Sequence, residues 1–477
     1  MIPQVFRSQN PVNAIPTAIQ SLVQPTTDSS DRCEWRNDGL FRNTCAYPRA
    51  LGRYCIFHAP KTSTPCLATL QTAEAERERL LVSHFGNAIR LHINRQAAFG
   101  SSVSFGGFIF PSWSPVDLTT QDRAVHLDFS YSIFLDEVSF SGIEFAQEVR
   151  FSSARFCNIA SFLTGFSHGA RFDDAVFEHS VTFAGAHFAE LIDFNAARFY
   201  GSVTFDWATV AGRLWIAGSD DVECFAQAAS FKRLVFLESG CVDFEHLSLA
   251  NASFLYTEME RLRFTGVRWH LPKQRIGLSA RRRALSDEFV LTQPKEESAH
   301  LEAVADNYRE LVLNHERKRD FESAESFHIG EMETRRKKCS AGQRPPLRWL
   351  LRYFNAYAAY GALSYYGTSY WQALLVLACM FIVFSTLLPF GGLTATNLPY
   401  STLRWEINQS ATRWTASQFL REWLASATFV FSSATFQADK AYRPSTDFGR
   451  ILASCSSLVL AGQAALLLLA IRRKFRR

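Results

Sequence analysis

Phenylalanine recurs along the middle of the chain at intervals that alternate between five and six residues. The most regular stretch holds seven of these rings, at Phe172, Phe177, Phe183, Phe188, Phe194, Phe199 and Phe205. Five residues turn an α-helix by about 140° and six by about 240°, so rings at this spacing would scatter around a helix instead of lining one face. The Gly, Ser and Asp residues between the rings also disfavour a long helix. The ladder therefore excludes a coiled coil for this region.

A small or β-branched residue stands two positions before most rings, as Val138 does before Phe140 and Ala175 before Phe177. Two inward side chains two residues apart define a very short extended segment. The small or polar residues that follow suit a tight turn. Repeated strand–turn units of this length predict a β-solenoid over residues 103–272, in which each coil hydrogen-bonds to the next.

These units resemble the repeats of the pentapeptide-repeat family, whose consensus is roughly A-(D/N)-(L/F)-x-x. The resemblance implies a right-handed quadrilateral β-helix with the bulky and the small residue both pointing inward. This sequence departs from the family in using Phe for the commoner Leu and in giving every second unit six residues, so a four-sided coil takes 22 residues. The spacing falters at Phe162–Phe166–Phe172 and breaks at 211–225. We expect about six coils in all.

Three cysteines and a histidine precede the repeats in the order Cys33, Cys45, Cys55 and His58. Three thiolates and one imidazole make a complete tetrahedral ligand set for zinc, and a C-x2-H pair supplies two of them from a single turn. Because four protein ligands leave no open position, we expect a structural zinc ion. The alternative is three ordinary buried thiols beside an unrelated histidine. Cys66 is a replacement ligand.

The zinc segment is assigned to residues 1–70, and a helical lead-in to 71–102. A small Cys/His knuckle of this kind is similar to the N-terminal element of some bacterial pentapeptide-repeat membrane proteins. The N-terminus lacks a charged stretch followed by an apolar run, which predicts that no signal peptide is present. We therefore expect the cysteines to stay in the reducing cytosol, where disulfides are disfavoured.

After a linker at 273–298, apolar residues at helical spacing predict two antiparallel helices over 299–340. This pair resembles the tetratricopeptide-like helices that follow the repeats in some membrane-bound relatives. Glu325 and His328 form an E-x-x-H pair. Di-iron bundles use that spacing, but they need two copies and two further glutamates. We interpret this pair as part of a solvated charged face.

A membrane domain is expected over residues 347–477. The segments at about 370–390 and 451–471 are apolar and long enough to span a bilayer. Basic clusters lie before the first and after the second, so the positive-inside rule puts both ends in the cytoplasm. The resemblance implies a multi-pass protein of the bacterial inner membrane, with the N-terminus, repeats and C-terminus in the cytosol.

Between the two spans, the segment 421–437 is apolar but short, which is typical of a re-entrant helix. This order resembles the two-helix pore domain of potassium-type channels. The family filter is a T-V-G-Y-G-like loop, whereas the corresponding stretch here, "SSATFQADKAYRPST", contains no glycine. We expect a pore fold without its filter, used as an anchor or to form a homo-oligomer through the membrane domain.

Charge is distributed unevenly. Residues 125–270 hold 19 acidic and 10 basic residues, a balance of −9. Because the net charge of the whole chain is +5, the remaining residues carry a net charge of +14. No catalytic motif is recognised, and we expect no enzymatic activity. The first hypothesis is a membrane-anchored cytoplasmic scaffold that binds a protein partner. The alternative is an oligomeric two-transmembrane ion channel with the β-helix as sensor or gate.

A third hypothesis is a DNA-mimicking modulator of topoisomerases, which the resemblance permits because acidic members of the family act in this way. Direct binding of nucleic acid is not expected, since the positive charge lies beside the membrane spans and not on the repeats. A supercoiling assay with residues 100–290 tests the third hypothesis, which predicts inhibition of the topoisomerase.

Overall fold

The computed structural model describes residues 24–26, 31–34, 45–50, 53–61, 73–99, 102–115, 125–219, 223–272, 282–290, 293, 296–395, 398–403, 416–435 and 442–475. The chain separates into two compact units. The first comprises Met1–Pro272 with Arg283–Leu291, and the second comprises Lys273–Arg282 with Thr292–Arg477.

The first unit is dominated by a parallel β-solenoid of about seven turns, whose 24 described strands form four sheets. The eight-stranded sheet contains Ser102–Ser104, His126–Asp128, Val149–Arg150, Ala170–Arg171, Ile192–Asn195, Arg213–Ala217, Cys241–Glu245 and Leu262–Thr265. The six-stranded sheet contains Val138–Ser139, Ala160–Ser161, Val181–Thr182, Val203–Thr204, Ala229–Ser230 and Ala252–Ser253.

Two five-stranded sheets complete the solenoid. One contains Ile109–Phe110, Ile133–Phe134, Arg155–Phe156, Val176–Phe177 and Arg198–Phe199. The other contains Glu144–Phe145, Gly165–Phe166, His187–Phe188, Thr209–Val210 and Val235–Phe236. Most strands are only two residues long, as the two-residue interval between inward side chains predicts.

The strand register confirms a coil of 22 residues, since Val181 pairs with Val203 and Phe177 with Phe199. The faltering spacing near Phe166 is a coil shorter by one residue, in which Phe145 pairs with Phe166. The break at 211–225 is an enlarged coil, because the strand at Arg213–Ala217 continues the eight-stranded sheet.

The expected number of about six coils is wrong, because the solenoid has about seven. The additional coil begins at Ser102–Ser104, well before the regular ladder. The second strand of this coil, Ile109–Phe110, lies in a five-stranded sheet. The residues that follow it in the sequence depart from the five–six spacing. The predicted bounds of 103–272 already include this coil, so the error lies in the number of coils and not in the extent of the solenoid.

Stacked phenyl rings fill the solenoid, with centroids 4.5 to 5.5 Å apart in three columns. The columns are Phe105–Phe129–Phe151–Phe172–Phe194, Phe110–Phe134–Phe156–Phe177–Phe199–Phe225 and Phe140–Phe162–Phe183–Phe205–Phe231–Phe254. The rings repeat at the strand spacing because each is one coil above the last. Burying each phenyl ring stabilises the solenoid by about 1.5–3 kcal/mol.

Both ends of the solenoid are covered by other parts of the first unit. Helix α1 (Ala73–Phe99) packs on the first coil, where the Phe85 ring lies 5.6 Å from that of Phe110. At the other end, the 3-10 turn Ser286–Phe289 closes the last coil. The buried Asp287 carboxylate there accepts hydrogen bonds from Phe254 N at 2.8 Å and Ser253 Oγ at 2.5 Å. These contacts satisfy backbone groups that an open edge would expose.

The second unit begins with the helices α2 (Glu297–Arg317) and α3 (Phe321–Lys338), which pack against each other. Asp320 begins α3 by accepting a hydrogen bond from Ser323 N at 3.1 Å. The ring of Tyr308 in α2 is fully buried against Gly330 of α3, where an added Cβ would lie 2.6 Å from it. Only glycine therefore permits this close packing of the two helices.

Two short helices follow, α4 (Pro345–Tyr353) and α5 (Ala356–Ser364). The chain then forms α6 (Tyr370–Leu387), which continues as a 3-10 turn over Leu388–Gly391. Helix α7 (Ala416–Ala434) and helix α8 (Asp447–Lys474) complete the unit. Three short antiparallel strands, Leu393–Ala395, Leu398–Leu403 and Tyr442–Pro444, join the ends of these helices.

Two helices of the described chain are long and apolar enough to cross a membrane, Tyr370–Gly391 and Asp447–Lys474. They coincide with the spans expected at about 370–390 and 451–471. The apolar segment between them forms α7, which begins earlier than the expected 421. Much of the stretch that corresponds to a channel filter, residues 436–441, lies outside the described residues.

Candidate metal centre

The four predicted ligands come from three short segments of the N-terminal region. Cys33 follows a bridge between Arg32 and Pro48, and its N–H donates to the carbonyl of Tyr47 at 2.9 Å. This pairing places Cys33 beside Cys45. Cys55 and His58 lie on one turn that is closed by a hydrogen bond from Ala59 N to Cys55 O at 2.9 Å.

The structure brings Cys33, Cys45, Cys55 and His58 together. Their ligand atoms all lie within 4.8 Å of one another, and all four side chains are buried. Cys55 is fully buried, and His58 is 5% exposed. Cys66, the replacement ligand, lies outside the described residues.

The distances fit a tetrahedral ion. Zinc–sulfur bonds of about 2.3 Å put two sulfur ligands about 3.8 Å apart, and a zinc–nitrogen bond of about 2.0 Å puts sulfur and nitrogen about 3.5 Å apart. The Sγ atoms of Cys45 and Cys55 are 3.7 Å apart. His58 Nδ1 lies 3.2 Å from Cys55 Sγ and 3.7 Å from Cys33 Sγ. Three of the six ligand-atom pairs thus match a tetrahedral Cys3His site, and all six lie within 4.8 Å.

Each of the three thiols strongly affects the pKa of the other two. Hydrogen bonds from the Cys45 and Cys55 thiols lower the pKa of Cys33, and the amide N–H of Cys55 donates to Cys33 Sγ at 3.2 Å. The same interactions raise the pKa of Cys45, and burial raises that of Cys55 to about 12. One thiolate is thus favoured without a cation, whereas a bound metal would deprotonate all three.

The outer nitrogen of His58 is fixed by the solenoid. His58 Nε2 lies 3.1 Å from the carbonyl oxygen of Gly106 in the first coil. A hydrogen bond to this oxygen puts the proton on Nε2 and leaves the Nδ1 lone pair directed at the thiols. Metal-binding histidines are oriented in the same way by partners outside the ligand set.

The centre is joined to the first coil. Ile109 N donates to Phe57 O at 2.8 Å, which extends the hydrogen-bond ladder of the solenoid onto the Cys55–His58 turn. The Phe57 ring stacks on Phe108 with centroids 4.4 Å apart. A metal at this position would hold three separate segments of chain against the open end of the solenoid.

Two polar groups beside the centre were not predicted. Lys61 donates to the carbonyls of Phe57, Ala59 and Ile109 at 3.3, 3.1 and 3.0 Å, and burial lowers its pKa to about 7. His92 of α1 links the Tyr47 hydroxyl to the carbonyl of Ser104. Both contacts join residues far apart in sequence, which no local motif signals.

The E-x-x-H pair is not part of a metal-binding group. Glu325 and His328 line a small cavity of about 90 Å³ together with Val312, Glu316, Phe321, Ala324, Arg473 and Lys474. His328 Nδ1 lies 3.7 Å from a carboxylate oxygen of Glu331. Among the residues that the structure describes, the Cys33 group is the one set of three or more His, Cys, Asp or Glu placed to hold a metal.

None of the nine described cysteines forms a disulfide. No known protein family, curated protein or solved structure matches this chain. The centre is therefore interpreted from its own geometry.

Proposed function

We propose that this protein is a membrane-anchored scaffold that binds a protein partner on its solenoid. We assign the solenoid to the pentapeptide-repeat class, as a right-handed quadrilateral β-helix with a structural zinc ion at its N-terminal end. In this proposal α6 and α8 span the inner membrane of a bacterium. The solenoid and both chain termini are cytosolic.

The observation that carries the proposal is an exposed corner of the solenoid, formed by Trp207, Arg233 and Tyr256 and here named the aromatic corner. The Arg233 guanidinium lies 4.6 Å from the centroid of Trp207 and 4.9 Å from that of Tyr256. Trp207 is 57% exposed and Tyr256 53%. Tryptophan, tyrosine and arginine are the residue types that contribute most binding energy at protein interfaces.

The three residues of the aromatic corner have left-handed φ values of 61°, 54° and 61°. Gly142 and Gly185, which occupy the equivalent corner in earlier coils, have φ values of 75° and 67°. Another corner of the solenoid has the same conformation, with φ values of 55–61° at Tyr131, Ser153, Asp174 and Ala196. The conformation therefore belongs to the repeat, and the exposed aromatic side chains are what distinguish the aromatic corner.

Membrane anchoring is supported by the outer faces of α6 and α8. Leu375 of α6 is 56% exposed, and Ile451 and Leu458 of α8 are 64% and 77% exposed. Apolar side chains exposed along a whole helix are stable where lipid covers them. Arg472, Arg473 and Lys474 at the end of α8 fit the cytosolic side of a bilayer.

No catalytic role is proposed. The metal centre has four protein ligands and therefore no open coordination position for a substrate. The solenoid interior is filled by stacked phenyl rings. The available binding surfaces are thus on its outside.

The test compares the full-length protein with corner variants in membranes of the source cells. Trp207→Gly and Tyr256→Gly remove the rings while keeping a residue suited to the left-handed conformation. We expect a stoichiometric protein partner to copurify with the wild type and to be lost from both variants. Tyr131→Gly is the matched control, because Tyr131 is 45% exposed and has the same φ of 61° at a different corner of the solenoid. Undiminished binding by both corner variants would overturn the assignment of the surface.

Anchoring is tested separately by alkaline extraction of the same membranes. A protein with two spans stays with the lipid, and release of the full chain into the soluble fraction would contradict the proposal. A reporter that is active only outside the cytoplasm, fused after residue 477, is expected to give no signal.

An ion channel is the second candidate, because α7 packs against both α6 and α8. Phe429 and Val430 of α7 share a buried cluster with Leu388 beyond α6 and Leu460 of α8. This order of two spans with a helix between them is that of a two-helix pore domain. Single-channel currents from the purified protein in planar bilayers would favour the channel over the scaffold, and currents absent from repeated trials would remove it.

A further inference from the structure

Helix α4 exposes its apolar side chains more than its basic ones. Leu347, Leu350 and Phe354 are 46%, 48% and 70% exposed, and Trp349 and Tyr353 are 60% and 48% exposed. The first three residues recur at intervals of three and four, which places them in one stripe of the helix. The two aromatic residues extend this stripe on one side. A short helix in water normally has the opposite arrangement, with charged side chains outermost.

The polar side of α4 is occupied by a contact within the same unit. The Arg348 guanidinium forms an ion pair with the Glu297 carboxylate of α2, and the same carboxylate accepts a hydrogen bond from Gly342 N at 3.2 Å. Leu350 lies about 160° around the helix from Arg348. The α2 contact therefore turns the apolar stripe away from the helical pair α2–α3.

The chain connects α4 directly to the helices that are long enough to span a membrane. Asn355 ends α4 by donating to Leu351 O at 2.6 Å and begins α5 by accepting from Ala358 N at 2.8 Å. Ser369 then begins α6, accepting from Gln372 N at 3.2 Å. The apolar stripe of α4 is thus held close in sequence to the start of the first span.

We propose that α4 lies along the surface of the membrane, with its apolar stripe among the lipid acyl chains and Arg344 and Arg352 beside lipid phosphates. A helix with aromatic and leucine residues on one side and arginines on the other has the composition of an interfacial helix. Anionic lipids attract such arginines.

The proposal rests on the membrane anchoring proposed above, and the experiment separates the two. A photoactivatable benzophenone amino acid replaces one residue at a time in the full-length protein, in membranes that contain anionic lipid. The test positions are Leu350 and Phe354. Leu375 on the exposed face of α6 reports on the span, and Tyr131 on the solenoid reports on the aqueous phase.

We expect lipid adducts at positions 350 and 354 in a yield that matches the yield at 375. No lipid adduct is expected at the water-exposed control position 131. A lipid adduct at 375 without one at 350 or 354 would overturn the interfacial helix and leave the anchor intact. Absence of lipid adducts from all positions would overturn the anchor and the interfacial helix together. Protein adducts at 350 and 354, to a second copy or to another chain, would also overturn the proposal.

Discussion

Each stacked phenyl ring of the solenoid contributes to stability through burial that is nearly complete. Phe188 is fully buried, with its ring 5.8 Å from that of Phe166. Phe188→Ala leaves a cavity that the neighbouring coils cannot fill without breaking their register. We expect a loss of about 3–5 kcal/mol in unfolding free energy. Thermal melting followed by the β-sheet circular dichroism signal measures it, with Leu163→Ala as the exposed control. An unchanged melting point for Phe188→Ala would contradict inward placement.

His92 gives the N-terminal end a dependence on pH. It is 1% exposed, its Nε2 donates to Ser104 O at 2.7 Å, and its Nδ1 lies 2.5 Å from the Tyr47 hydroxyl. Burial lowers the pKa of His92 to about 4. An unfolded histidine binds its proton near pH 6.5. The stability contributed by the neutral ring is therefore complete above about pH 6.5 and falls as the pH drops towards about 4.

The loss over this interval is on the order of 3 kcal/mol. Melting temperatures between pH 7 and pH 4.5 measure it, and His92→Gln is expected to flatten the dependence while lowering stability at pH 7. Equal slopes for the two proteins would show that His92 does not titrate in this range.

At the level of elements, the metal centre is expected to hold the first coil closed. Removing the ion with a chelator, or substituting Cys55→Ala, releases the turn that hydrogen-bonds to Ile109. We expect faster amide hydrogen exchange in the coil that begins at Ser102–Ser104, with little change near Val181–Val203 in the middle of the solenoid. The metal content of the full chain before and after chelation provides the control. Equal protection of the first coil with and without metal would contradict a structural role.

The C-terminal end depends on Asp287. Asp287→Ala removes the acceptor for Phe254 N and Ser253 Oγ. A buried donor is then left unsatisfied, which lowers the unfolding free energy by about 1–3 kcal/mol. Asp287→Asn keeps one acceptor oxygen, so its stability is expected to lie between that of Asp287→Ala and that of the wild type. Hydrogen exchange at Phe254 and solubility on storage measure the effect. Exchange at wild-type rates in Asp287→Ala would show that the carboxylate does not close the last coil.

The strand elements were predictable because their signal repeats. The interval between phenylalanines defines strand length and turn position many times over, so single irregularities such as Phe162–Phe166 do not obscure it. The grouping of Cys33, Cys45, Cys55 and His58 was predictable because three cysteines and a C-x2-H pair have a specific chemistry. Asp287 and Lys61 carry no such signal, since each acts once, through contacts between distant segments. The amphipathic pattern of α4 is only nine residues long and stands beside much longer apolar segments, so it carries a weak signal in the sequence.

At the scale of the whole molecule, the two units have different surfaces. The first has a core of stacked rings, ends that are covered and an exposed aromatic corner. The second carries helices whose outer faces are apolar, as Leu458 illustrates. Sequence alone predicted the solenoid of the first unit from repeat spacing and the two long apolar helices of the second from hydropathy. It did not locate the aromatic corner, because Trp207, Arg233 and Tyr256 come together only when successive coils stack.

The central claim is that the aromatic corner binds a protein while the chain is anchored in a membrane. The most direct measurement places a benzophenone amino acid at Tyr256 of the full-length protein and irradiates intact source cells. Tyr131, 45% exposed and with the same φ of 61° at a different corner of the solenoid, is the control position. The scaffold predicts one discrete protein adduct at position 256, found in the membrane fraction, and none at 131. No adduct at 256, or the same set of adducts at both positions, would contradict it.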